Sequence, residues 1–149
     1  MKRLIPFCIA LVLLAPFTAL ASLDDFLANV NIQARADMPG FSAKISTQFG
    51  VPVAQVQAVV QTVREPADAF MVFQLGQFSG RQPERVMDVY SKHKGKGWGV
   101  IAKDLGIKPG SAEFHALKSG NLSFTGKPSG HDDTPGKGKG KGKGKGHNK

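Results

Sequence analysis

Proline and glycine cut the middle of this chain into short pieces, and within each piece apolar residues recur every three or four positions. That combination predicts short helices and almost no strand. Ser22, with Asp24 and Asp25 behind it, marks a helix start carrying Leu23, Phe26, Leu27 and Val30, and Met38-Pro39-Gly40 is expected to end it. Phe41, Ile45 and Phe49 then form a stripe that stops at Gly50. Pro52 suits the first turn of a third helix with Val53, Val56, Val59, Val60 and Val63; their spacing is not the two-residue repeat of a strand.

The chain restarts at Glu65-Pro66, and residues 69–75 with Phe78 are apolar around most of a helical circumference, the pattern of a central buried helix. Gly80 is expected to close it, and Pro83-Glu84 to open a helix bearing Val86, Met87, Val89 and Tyr90. After a loop over 92–97 come Trp98, Val100, Ile101 and Leu105, then Gly106, then a short helix around 112–117. Trp98 begins the stripe Trp98, Ile101, Leu105 and reads as a core anchor rather than a ligand platform. About a hundred residues of this kind can bury one core without disulfides.

Two segments echo one another. Ile45-Ser46-Thr47-Gln48-Phe49-Gly50-Val51 and Ile101-Ala102-Lys103-Asp104-Leu105-Gly106-Ile107 share the order apolar, small, polar, polar, apolar, Gly, apolar. Each resembles the first helix and turn of a helix-turn-helix unit. In the second copy Lys108-Pro109-Gly110-Ser111 lengthens the turn, and His115 stands where an apolar residue is usual. A DNA-reading helix after Gly50 would offer Gln55, Gln57 and Gln61 to base edges, with Arg64 as the sole nearby cation for phosphates.

The run Gly95-Lys96-Gly97-Trp98-Gly99-Val100-Ile101-Ala102-Lys103-Asp104-Leu105-Gly106-Ile107-Lys108-Pro109-Gly110-Ser111, continued by Phe114-His115-Ala116-Leu117-Lys118, resembles a segment of small exported bacterial helical proteins of unassigned function. The resemblance implies a compartment and no activity. Its glycine-rich start, with Lys92, Lys94 and Lys96, is a candidate anion loop, although the spacing is neither that of a phosphate-binding loop nor that of a dinucleotide fingerprint. A plain solvated surface loop is the competing reading.

The two ends carry different information. Lys2 and Arg3, an apolar core over 4–20 and the small-residue site Ala19-Leu20-Ala21 make an export signal, with cleavage expected before Ser22; an uncleaved anchor is the alternative. The only cysteine, Cys8, lies inside that signal and lacks the position of a lipidation cysteine, so a mature chain would have no disulfide, thiol nucleophile or thiolate metal site. Residues 22–126 hold eleven Lys and Arg against nine Asp and Glu, a net of +2, whereas residues 127–149 hold seven Lys against Asp132 and Asp133, a net of +5. The basic character therefore sits mainly in the tail. There Lys137, Lys139, Lys141, Lys143 and Lys145 alternate with glycine, and nothing apolar is present to pack.

No Gly-x-Ser-x-Gly elbow and no His-Glu-x-x-His helix occurs, and Glu113 and His115, two apart, face different sides of a helix. His131 and His147, with Asp132 and Asp133, are weak metal candidates. These readings predict an all-α protein: a signal over 1–21, a compact bundle of about five to six short helices over 22–126 with helix-turn-helix-like corners, and a disordered basic tail over 127–149. The expected function is that of an exported, periplasmic or secreted, non-enzymatic binding module with no cofactor and no small-molecule substrate. Its tail would meet anionic lipid or lipopolysaccharide headgroups, extracellular nucleic acid or acidic polysaccharide, and its core an unidentified protein partner. The alternatives are a nucleic-acid-binding protein that uses the corner at Gly50 together with the tail, and a small metal-binding envelope protein.

Overall fold

The segment that is apolar on every side becomes the axis of the fold. In the computed structural model, which describes residues 22–128, helix α4 (Pro66–Ser79) is buried at every position from 69 to 76. Around it run α1 (Leu23–Ala36), α2 (Met38–Phe49), α3 (Val53–Thr62) and α5 (Pro83–Lys92), all packed directly on α4. Helix α6 (Gly97–Asp104) leans on α5, and α7 (Ala112–Ser119) closes against α6 and α1. The described residues are thus all-helical, with seven helices where about five to six were expected.

Phe70, fully buried in α4, is the hub of the core. Its ring lies 5.4 Å from Phe26, 5.8 Å from Phe49 and 5.6 Å from Phe124, in tilted and edge-on arrangements favoured by the ring quadrupoles. Each such fully buried side chain contributes about 1.5–3 kcal/mol of transfer free energy. Ile45, Val56, Val86 and Val89 carry the buried stripes of α2, α3 and α5 onto this hub. Trp98 is half-buried against the core and stacks on Tyr90 at 5.4 Å, as an anchor would.

Met38-Pro39-Gly40 does not end α1; it is the first turn of α2. Asp37 alone separates the two helices, and its carboxylate accepts from the Gly40 amide at 2.9 Å. Proline fits there because the first amides of a helix have no intrahelical acceptor to lose. Pro52 likewise stands one residue earlier than expected, capping α3 from outside. Val53 and Val100 leave the stripes assigned to them and are about two-fifths exposed.

The two echoed corners end alike. Val51 N–H donates to Ser46 C=O at 3.1 Å and Ile107 N–H to Ala102 C=O at 2.9 Å, after Gly50 and Gly106 in the left-handed region. The same bond closes α4 (Arg81 to Gly76, 2.9 Å) and α7 (Asn121 to Ala116, 3.0 Å), which share no such sequence echo. The corner is the ordinary chemistry of a glycine-terminated helix.

Beyond α7 the chain crosses back over α2. Gln48, buried in α2, donates to Ser123 C=O at 2.6 Å and accepts from the Thr125 and Gly126 amides at 3.1 and 3.2 Å. Phe124 packs on Phe41 at 5.4 Å, and the Lys44 ammonium lies over the Phe124 ring at 5.3 Å.

Candidate anion-binding groove

Helix α6 begins without a side-chain cap. Its N-cap position is Lys96, so the first amides of the helix and a lysine lie together at the positive end of the dipole, an arrangement that an anion relieves. The next turns place Gly99, Val100 and Lys103 at +3, +4 and +7 from Lys96, on one face. Opposite stands α7, held at its start by Ser111, whose hydroxyl accepts from the Phe114 amide at 3.2 Å. Phe114, His115 and Lys118 line the α7 side.

The start of α1 closes the third side with Ser22 and Leu23. Ser22 caps that helix: its amide and hydroxyl both donate to Asp25, which holds the Asp25 carboxyl below the usual carboxylate range. The groove so formed measures about 1060 Å³, against about 470, 350 and 180 Å³ for three others. Lys96, Lys103, His115 and Lys118 line it and no carboxylate does, while most of its lining surface is apolar. Lys103 is steadied over the Phe114 ring at 6.0 Å.

Of the three loop lysines singled out from the sequence, Lys96 enters this groove. Lys92, the last residue of α5, and Lys94 are exposed and do not line it. Within the loop the Lys96 amide donates to His93 C=O at 2.9 Å, so that amide is committed to the turn. Lys137, Lys139, Lys141, Lys143 and Lys145, the metal candidates His131 and His147, and the signal over 1–21 all lie outside the described residues.

A second polar cluster joins α4, α5 and α6. Tyr90 donates its hydroxyl proton to Asp68 at 2.8 Å and accepts from the Arg64 amide at 3.3 Å. Burial, reinforced by Asp68, pushes the Tyr90 hydroxyl above the usual tyrosine value. His93 donates from Nε2 to Asp104 at 3.0 Å, which ties the end of α5 to the end of α6, and its Nδ1 is buried without a hydrogen-bond partner. These bonds fasten helices together. The cavity beside them measures only about 180 Å³.

The helix after Gly50 presents little to DNA. Gln55 is turned toward α5, donating to Glu84 at 2.9 Å, and Gln57 and Gln61 share their exposed face with Val53, Ala54 and Ala58. No cation lies on α3. Among the described residues no three His, Cys, Asp or Glu side chains gather to hold a metal ion, and no helix is long and apolar enough to cross a membrane. No known protein family matches the chain, and no curated protein or solved structure is detectably similar to it.

Proposed function

We propose that the protein is an exported, non-enzymatic helical binding module that its lysine tail holds at anionic surfaces or polymers. The observation that carries this reading is the alternation of five lysines with glycine over 137–145, beyond a folded region whose own charges nearly balance. An extended Gly-Lys chain offers charges at adjustable spacing, which suits phosphates displayed in any pattern and suits no single shape. Each lysine near an anionic membrane contributes about 1 kcal/mol, so the five together give firm but salt-sensitive attachment. Lipopolysaccharide or phospholipid headgroups, extracellular nucleic acid and acidic polysaccharide all fit. The helical region is then free to engage a protein partner.

The test is salt-dependent binding of the whole chain, beside a version lacking residues 136–149, to anionic vesicles, duplex DNA and single-stranded DNA. On duplex DNA the tail predicts a slope of about −4 to −5 in log affinity against log salt, from five neutralised phosphates. Deletion is expected to abolish binding to all three. Sequence-selective DNA binding that survives deletion and falls on replacing Gln55 and Gln57 would overturn the reading in favour of the corner at Gly50.

A further inference from the structure

We infer that the groove between α6, α7 and the start of α1 binds one single-chain lipid whose phosphate headgroup carries a net negative charge, independently of the tail. Its two halves have complementary chemistry. Lys96 stands at the uncapped first turn of α6, and Lys103 and Lys118 also line the groove, so donors for a phosphate are spread along it with no carboxylate among them. Leu23, Val100 and Phe114 form an apolar wall beside them, and Val100 is about two-fifths exposed. At about 1060 Å³ the groove is of the size that takes a small ligand rather than a surface loop. A purely polar anion would leave the apolar wall wet, and an uncharged lipid would leave the lining lysines without a counter-charge. An amphiphilic phosphate satisfies both.

Gly99 supplies the handle for a test. It lines the groove, and a Cβ built there meets only the Phe114 ring edge, at 3.9 Å, which is ordinary contact. Gly99→Leu therefore fills the apolar half with no clash at its Cβ, and leucine is the better helix former. Lys103→Gln with Lys118→Gln removes two charges and leaves the wall intact.

The probe is lysophosphatidylglycerol below its micelle concentration, titrated calorimetrically into the whole chain. Lysophosphatidylcholine and a fatty acid of equal chain length serve as the zwitterionic and carboxylate comparisons, and glycerol phosphate as the headgroup alone. The inference predicts one lipid per chain, bound about tenfold tighter than either chain-bearing comparison and far tighter than glycerol phosphate. Gly99→Leu and the double lysine variant should each weaken it by about tenfold while far-UV circular dichroism stays unchanged. Deleting residues 136–149 should leave it intact, which separates this site from the tail. Several lipids per chain, equal affinity for lysophosphatidylcholine, the fatty acid or glycerol phosphate, indifference to Gly99→Leu, or loss on deleting the tail would each overturn the inference.

Discussion

Gly120 combines a left-handed backbone with the close approach of another helix's backbone, and replacing it with alanine separates the two costs. It ends α7 at φ 67°, and a Cβ there would lie 2.5 Å from the Ser22 carbonyl oxygen, 2.7 Å from its carbon and 3.0 Å from the Leu23 nitrogen. All three are backbone atoms at the start of α1, and that carbonyl accepts the first bond of α1, from the Phe26 amide at 3.1 Å. Gly50, at φ 65°, has nothing within 4 Å of its own Cβ position. Alanine in the left-handed region costs about 1–2 kcal/mol at either site. At Gly120 the overlap adds about 1–3 kcal/mol, because a helix start must retreat rather than a side chain swing away. Gly50→Ala is thus expected to cost about 1–2 kcal/mol and Gly120→Ala about 2–5 kcal/mol, read as urea midpoints at equal m. Equal costs would show that α7 and α1 do not meet as closely as described.

Two more outcomes follow from other contacts. Gln48→Ala removes the donor and acceptor that pin residues 123–126, so amide exchange at Thr125 and Gly126 should accelerate while α4 stays protected; unchanged exchange would mean that Phe124 packing alone holds the segment. Tyr90 is the single tyrosine, and its absorbance titration should centre above pH 10, moving down but remaining raised in Asp68→Asn because burial is the larger cause. Since the folded value lies above the unfolded one, this group's contribution to stability is full below about pH 10 and declines as pH rises toward the folded value. A titration centred at pH 10 or lower would refute this placement of the hydroxyl.

Much of the fold was legible because helix ends and buried stripes are written locally. Gly50, Gly80 and Gly106 all end helices where expected, and the continuous apolar run over 69–75 became the axis. Misplacements arose where a residue has two local meanings. Pro39 followed by Gly40 reads as a stop, yet Asp37 two residues before Pro39 makes it a start, and that capping signal was the deciding one. The groove was legible only in part. Lys96, Gly99, Val100 and Lys103 at +3, +4 and +7 are visible in the sequence, but grouping Lys96 with Lys92 and Lys94 as a loop hid the helical face it belongs to. That Lys118 and Leu23 meet that face depends on α7 returning to α1, a long-range packing that local periodicity does not encode.

Lysine acetylation followed residue by residue, with anionic vesicles, with lysophosphatidylglycerol and with neither, tests most directly whether lysines at these places meet anions. Vesicles are expected to protect Lys137, Lys139, Lys141, Lys143 and Lys145 strongly, lysophosphatidylglycerol to protect Lys96, Lys103 and Lys118, and neither to protect Lys92, Lys94 or Lys108. Protection spread evenly over Lys92, Lys94 and Lys108, or absent from the tail, would contradict it.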